Sequence, residues 1–370
     1  MRLDKTLGFR ASAAVAAAFL LAAGLSGCSS EEPDADPTAQ PSVEPSPDAS
    51  PTSEPTPDLE APTVWPLTGV EVEEIAQRPA IAVKIENSAA ARPQIGLEHA
   101  DMVWETLAEG GITRFVAVFH SDIPEFVAPV RSVRPTDPAI VAPLGGVLVY
   151  SGAQPAFISL VNAQNIQSMY MDRGDPGFAR MPGRFAPHNV IGTMATFLAN
   201  VNDSRTVPPE NQLVWTWVPG EGTAITEGSA VDSLVAHMSA GQSTGWVWDE
   251  ESGTFLRSNN NAASLSDTGE QHAATNVVFL LQDVRMSAAD SSVPETVMVG
   301  SGQAIVASGG HYVEATWVKD SVDSVLQLLD LDGNPILLEP GATWINQVPS
   351  NMSWTITLAD ADASATADNP

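Results

Sequence analysis

The chain has 370 residues, with 16 Lys and Arg against 45 Asp and Glu, a formal net charge of -29. A polyanion of this kind is repelled by phosphate backbones, which argues against nucleic acid as a partner. One cysteine rules out an intramolecular disulfide and a CxxC metal site, while 44% hydrophobic residues are enough for sizeable cores.

Residues 1–28 have the order of a secretory signal. Arg2, Lys5 and Arg10 precede the apolar run ASAAVAAAFLLAAG, and Leu25, Ser26 and Gly27 lead to Cys28. The pattern resembles a bacterial lipobox, in which the Cys28 thiol receives a diacylglycerol and becomes the mature N-terminus. The expected partner is then a membrane surface, held through a lipid on the extracytoplasmic face of the cell membrane, with no spanning helix. Residues 29–62 are rich in Pro, Ser, Thr, Asp and Glu and contain no Lys or Arg. Such a segment buries too little to offset its chain entropy, so it is expected to be a disordered, extended tether. Residues 356–370 are expected to form a second disordered tail.

The folded part is expected to divide within the polar stretch VNDSRTVPPENQ. A mixed α/β domain covers 63–205 and a smaller, mainly antiparallel β domain covers 206–355, giving an α+β fold class. In the first domain, PAIAVKIEN alternates, with Ile81, Val83 and Ile85 on one face and Lys84 and Glu86 on the other. That spacing predicts a strand with one buried side. DMVWETLAEGGITRFVAVFHS predicts a hairpin turning at Gly110-Gly111. A two-residue loop would pair Glu109 with Ile112 and Leu107 with Arg114, leaving Arg114 within ion-pair reach of Glu105. Thr136 or Asp137 caps a short helix with Pro138 in its first turn. VLVYSG reads as a buried strand, and AQPAFISLVNAQ and IGTMATFLANV read as helices. In the second domain DSLVAHMSA reads as a helix. GWVWDEESGTFLRS, NVVFLLQDV, QAIVAS, HYVEATWV and VLQLLDLDGNPILL read as strands, with a turn at Asp332-Gly333. The tryptophans at 215, 217, 246, 248, 317 and 344 suit core and sheet-face packing better than sugar stacking.

Positive charge is unevenly placed. Of the 13 Lys and Arg beyond residue 28, nine lie between Arg78 and Arg184, with ten acids in the same window. Eight of the nine are arginine. Guanidinium groups suit bidentate pairing with carboxylate or phosphate, either in internal networks or in an anion site. VAPVRSVRP contributes Arg131, Ser132 and Arg134. Ser151, at the strand-to-helix turn YSGAQPAF, lacks the flanking glycines of a nucleophile elbow and reads as a turn residue. His188, in APHN beside Asn189 and downstream of Arg180 and Arg184, has the setting of a general base or ligand-binding group. The other histidines are scattered without metal-ligand spacing, so neither a metal nor a cofactor is expected. Glu86, Asn87, Arg92 and Gln94 flank the loop after the first strand, and strand ends are common positions for sites. The expected site therefore has His188 and Glu86 as its catalytic candidates. Asn87, Arg92, Gln94, Glu105, Arg114, Arg131, Ser132, Arg134, Arg184 and Asn189 are its ligand-binding candidates.

The run IAVKIENSAAARPQIGLEHADMVWETLAEGGITRFVAVFHS, then APVRSVRP and RFAPHN, then NVVFLLQDV, EATWVK and PGATWINQVP, resembles the YerB-like lipoprotein family, domain-of-unknown-function family 3048. The resemblance spans about residues 65–349. It implies a signal, a lipid-attachable Cys, an N-terminal α/β domain and a C-terminal β domain, and it implies no activity. VYSGAQP departs from the His and Gly-Gly-Ser pattern of relatives, which argues against a catalytic Ser or His there. Two functions are consistent with these readings, beside a third, a purely structural interaction protein. One is a non-enzymatic envelope lipoprotein that binds an anionic envelope polymer, such as peptidoglycan or a teichoic-type phosphate, or a protein partner, through an Arg-rich cleft. The other is an envelope hydrolase or transferase using His188 and Glu86. An enzyme should show a deep pocket with His188 within reach of a carboxylate, and a binding module a shallow basic patch without that pair.

Overall fold

The alternation in PAIAVKIEN does produce a strand, β1 (Ile81–Glu86), but all six of its residues are buried. The expectation of one solvated side is corrected because elements cover both faces of the sheet. Lys84 is therefore enclosed, and its Nζ lies 2.7 Å from Asp137 Oδ1 with neither side chain exposed. A buried ammonium needs such a partner, since desolvation of an isolated ion costs several kcal/mol. Burial pulls Lys84 down to about 8 against the opposing pull of Asp137. The computed structural model describes residues 62–359; the signal segment, Cys28, the tether through residue 61 and residues 360–370 lie outside them.

β2 (Met102–Leu107) and β3 (Thr113–Phe119) form the expected hairpin in a different register. Leu107 faces Thr113, Thr106 faces Arg114 and Glu105 faces Phe115. The connection is longer than two residues: the Ala108 N–H donates to the Ile112 carbonyl at 2.7 Å. Gly110 and Gly111, both at positive φ, complete the turn. A shift of one residue moves every side chain to the opposite face. Glu105 thus shares a face with Phe115, Arg114 lies on the other, and the expected Arg114–Glu105 ion pair does not form.

β4 (Val147–Tyr150) runs parallel to β1, and β5 (Gln167–Tyr170) parallel to β4. Three predicted helices are present and short: α1 (Asp137–Val141), α2 (Pro155–Asn162) and α3 (Met194–Ala199). Pro155 opens α2 where a missing N–H is harmless, and Phe157 and Val161, four apart, are its buried residues. β6 (Ser229–Ser239) takes up all but the last residue of DSLVAHMSA, which was expected to be helical. Its buried residues Leu234, Ala236 and Met238 alternate with period two, and pairing with neighbouring strands overrides the local preference. β7 (Gln242–Asp249), β8 (Thr254–Asn259), β9 (Asn276–Gln282), β10 (Gly300–Ser308), β11 (His311–Lys319), β12 (Thr343–Pro349) and β13 (Trp354–Leu358) follow. β13 crosses residue 355 and pairs with β6.

The sheet order is β8-β7-β6-β11-β10-β9-β12-β2-β3-β1-β4-β5. β12, from late in the chain, lies between β9 and β2 and is parallel to both. Strands from either side of residue 205 therefore share one continuous sheet. This overturns the α+β expectation of a distinct N-terminal α/β domain. Of the described residues, 41% are in strands and 13% in helices, so the architecture is dominated by one large mixed sheet. The helices are too short to form a layer of their own and act as covers.

Each face of the sheet has its own core. On one, Ala82, Trp104 and Val116 pack with Ile140 of α1, Phe157 of α2 and Trp317. On the other, Val83, Ile85 and Phe115 pack with Leu234, Trp246 and Trp344. β6 meets β11 over only two residue pairs, and the apolar side of β6–β8 belongs to this second core. Trp215, Trp246, Trp317 and Trp344 are buried, as core packing requires, whereas Trp217 is exposed. No helix among the described residues is long and apolar enough to cross a membrane.

Candidate functional site

The segment around VAPVRSVRP is laid across the carboxyl ends of β1 and β4 by backbone hydrogen bonds. Glu86 N–H donates to the Pro129 carbonyl (3.0 Å) and Arg131 N–H to the Lys84 carbonyl (2.8 Å). Ser151 N–H donates to the Arg131 carbonyl (3.0 Å), and Val133 N–H to the Gly152 carbonyl (3.1 Å). A third element arrives when Val130 N–H bonds the Val190 carbonyl at 2.9 Å, bringing the strand after APHN alongside. Arg131, Ser132, Arg134, Glu86 and His188 thus converge from three distant stretches of sequence, at the end of a parallel strand pair where α/β crevices commonly lie.

Glu86 is the centre of the group. Its carboxylate lies 2.9 Å from His188 Nδ1 and 3.2 Å from Arg131 Nε, and it accepts from Ser88 Oγ at 2.8 Å. The Glu86 side chain is only 2% exposed, whereas His188 is 29% and Arg131 21% exposed, so the acid lies beneath the imidazole and the guanidinium. Glu109, from the β2–β3 turn, holds the other two guanidiniums, Arg134 at 2.6 Å and Arg114 at 3.6 Å. Arg114 and Arg134 also donate to the Ser132 carbonyl. Three guanidiniums therefore face two carboxylates. Burial first, then the neighbouring Arg134, pulls Arg114 down to about 10. Burial pushes Glu109 up, but the Arg134 hydrogen bond and both nearby arginines leave its carboxyl below the ordinary value. Ser132 Oγ and Ser151 Oγ are 3.4 Å apart at the rim.

Arg184 and Asn189 build the loop that carries His188. Arg184 donates to the Ala91 and Pro93 carbonyls (3.0 and 2.8 Å), and Asn189 Nδ2 donates to the Arg184 carbonyl at 3.1 Å. Arg180 donates to Asn189 Oδ1 at 2.7 Å. These bonds hold the chain so that the His188 ring can meet Glu86, which makes both residues positioning groups for the loop.

Asn87, Arg92, Gln94 and Glu105 go elsewhere. Arg92 donates to Asn87 Oδ1 (3.1 Å) and Asn259 Oδ1 (3.0 Å), and Gln94 Nε2 donates to the Glu86 carbonyl (3.0 Å). Asn87 Nδ2 donates to Thr113 Oγ1 at 2.8 Å. Glu105 is fully enclosed, 2.9 Å from Arg257, and also accepts from Thr113, Thr244 and Asn346. The Arg257 guanidinium sits over the rings of Phe115 (5.0 Å) and Trp344 (5.1 Å). This interior network ties β1–β3 to β7, β8 and β12 through hydrogen bonds among its own members.

Glu109, Ser88 and Arg257 were not among the residues expected to form the site. Glu109 beside Gly110-Gly111 offered a turn signal that fixes its position, but nothing in the sequence aligned it with Arg134. Cavities of about 480, 380 and 370 Å³ lie elsewhere, and none is lined by Glu86, His188 or Arg131. The His–carboxylate pair expected of an enzyme and not of a binding module is present, but none of those three cavities supplies the deep pocket expected with it, so the two criteria divide. Among the described residues no cluster of three or more His, Cys, Asp or Glu could hold a metal ion.

Comparison with known proteins places these features in a family. The N-terminal domain of DUF3048, described as a protein of unknown function, matches residues 67–207, and its C-terminal domain matches residues 234–345. YerB of Bacillus subtilis (strain 168), provisionally named a lipoprotein, is 26% identical over 299 residues, covering 79% of this chain and 88% of YerB. The crystal structure of YerB from Bacillus subtilis superposes with a TM-score of 0.69 at 24% identity. It covers 79% of this chain and 99% of that one, a likeness of fold.

Proposed function

This chain belongs to the DUF3048 family, and from that premise we propose that it is an extracytoplasmic protein, lipid-anchored through Cys28, that binds an anionic group of the cell envelope at the Arg131–Arg134–His188 cleft. The lipobox-like LSGC and the lipoprotein designation of the related YerB support the anchoring. The observation that carries the binding role is the charge count of the cleft. In a chain of net charge -29, Arg114, Arg131 and Arg134 gather around Glu86 and Glu109, so that guanidiniums outnumber the acids they are paired with by three to two, with Asp290 in weaker electrostatic reach of Arg134. A carboxylate or phosphate on an envelope polymer, or on the surface of a protein partner, would complete the pairing by charge-assisted hydrogen bonds.

A second reading, an envelope hydrolase or transferase, is favoured by one observation, the 2.9 Å contact of His188 Nδ1 with Glu86. A carboxylate on Nδ1 orients the ring and leaves Nε2 to exchange a proton with a bound molecule. The two readings separate in one experiment. The purified protein and its Arg131→Ala and His188→Ala variants are incubated with envelope fragments, and both retention and released products are measured. Retention lost in Arg131→Ala with no product from wild type supports binding. Product release abolished in His188→Ala supports catalysis. Undiminished retention in both variants, without product, would overturn both readings.

A further inference from the structure

Phe185 is 86% exposed, more than any other large hydrophobic side chain among the described residues. Single apolar side chains on a surface are ordinary. This one is set apart by where it is held. The Phe185 carbonyl accepts from the His188 N–H at 2.9 Å. That bond closes a turn, which keeps the α-carbons of its two end residues within about 7 Å of each other. Arg184, just before Phe185, donates to the Ala91 and Pro93 carbonyls, and Asn189, just after His188, donates to the Arg184 carbonyl. The loop is thus closed on itself and pinned to the segment at residues 91–93. It presents an aromatic ring to water beside the imidazole of the cleft, where the ring adds nothing to either core.

The chemistry next to that ring is polar and partly open. His188 and Arg131 both meet the Glu86 carboxylate, at 2.9 and 3.2 Å, and both are partly exposed. Arg131 approaches Glu86 with Nε rather than with its terminal nitrogens, and a guanidinium fork suits a carboxylate or phosphate. Ser132, the next residue, is partly exposed and brings a hydroxyl. A guanidinium, a hydroxyl and one aromatic face on a single rim match a sugar ring that carries an acid. The acid pairs with Arg131, and the apolar C–H face of the sugar lies on Phe185. A bilayer or a standard protein interface calls for a wider apolar area, about 800 Å² per partner in the protein case. The exposed neighbours of Phe185 are Gly183, Ala186 and Pro187, which extend it little.

We infer that Phe185 stacks on a sugar ring whose carboxylate or phosphate is held by Arg131, so that the cleft takes ring-borne acids in preference to acyclic polyol phosphates. The inference rests on the anion-binding reading above and adds to it the chemical class that carries the anion.

Four probes test it on the purified full chain by ligand proton NMR. N-acetylmuramic acid and a phosphorylated N-acetylglucosamine are ring acids, glycerol phosphate is an acid without a ring, and N-acetylglucosamine is a ring without an acid. Wild type should bind the ring acids about fivefold or more tighter than glycerol phosphate, with upfield shifts on the C–H protons of one sugar face. The neutral sugar should bind most weakly, and the tighter of the two ring acids tells carboxylate from phosphate. Phe185→Ala, at an exposed position, should lose the ring preference and the upfield shifts while binding glycerol phosphate unchanged. Phe185→Tyr should restore both, and Arg131→Ala should lose all three acids. Equal affinity of wild type for glycerol phosphate and the ring acids would assign Phe185 to another partner, such as a protein, and overturn the inference while the anion-binding reading stands. A ring preference undiminished in Phe185→Ala does the same. No saturable binding of any acid overturns both.

Discussion

Replacing Arg257 by Met offers a sharp test of the interior network. Arg257 and Glu105 lie 2.9 Å apart with neither side chain exposed. The substitution keeps much of the volume under Phe115 and Trp344 but leaves the Glu105 carboxylate with only neutral donors. Removing one member of a buried pair typically costs about 3–5 kcal/mol, because the remaining charge stays desolvated. Unfolding entropy of ~2.1 cal/mol/K per residue, over a folded part of roughly 300 residues, is about 0.6 kcal/mol/K, so Tm should fall by about 5–8 °C. Glu105→Gln, which strands the guanidinium, should cost a similar amount. The double variant buries no charge and should cost less than the sum of the two by at least ~2 kcal/mol. Thermal unfolding followed by circular dichroism, with urea titrations for the free energies, measures all three. A Tm shift under about 2 °C in Arg257→Met, or strict additivity of the two substitutions, would show that the pair does not hold the two halves of the sheet together.

Other outcomes follow from buried groups elsewhere. Burial, aided by Arg257, pushes His272 down to about 3. Its folded value is below its unfolded one, so its stabilising contribution is full above about pH 6.5 and drains away as pH falls toward 3. In urea titrations His272→Gln should therefore lose less stability than wild type between pH 6.5 and 4, and parallel slopes would refute this. Asp101 runs the other way. Burial raises it to about 6 despite hydrogen bonds from Ser121 and the His120 N–H. Its contribution is full below the unfolded carboxylate value and is lost as pH rises through 6, so Asp101→Asn should flatten the wild-type decline between pH 4 and 7. Gly69 sits at φ +67, and an added Cβ would lie 2.3 Å from Trp215 Cγ. Gly69→Ala should cost about 2–4 kcal/mol and alter the near-UV tryptophan signal, whereas a cost under about 1 kcal/mol would mean that the Trp215 ring is free to move aside.

Local pattern was informative where the cause was local. The period-two spacing of β1, Pro155 opening α2, and the glycines between β2 and β3 each specified an element from a few residues. The hairpin register did not follow, because Gly110 and Gly111 both take positive φ within a longer connection, and one extra residue reverses the facing of Glu105 and Arg114. The scarcity of Lys and Arg outside residues 78–184 pointed to Arg131, Arg134 and Arg114, and they do meet. What separates Glu86 from Asn87 is invisible in sequence, because the partners that occupy Asn87, Arg92 and Glu105 are Asn259, Thr244, Arg257 and Asn346. Those residues come from strands more than a hundred positions away, placed by the passage of β12 through the centre of the sheet. The same passage explains the wrong fold class: an α/β-like beginning reads as a domain only while its missing neighbour is unknown.

That position of β12 also sets the order in which the molecule can be finished. As the chain emerges from the ribosome, β2 and β9 each present a bare row of peptide groups until residues 343–349 arrive between them. Nearly the whole length must be synthesised before that gap closes, and pairing at such long range is slow. A polypeptide built this way stays incomplete and extensible through most of its production, a condition compatible with threading across a membrane before it folds.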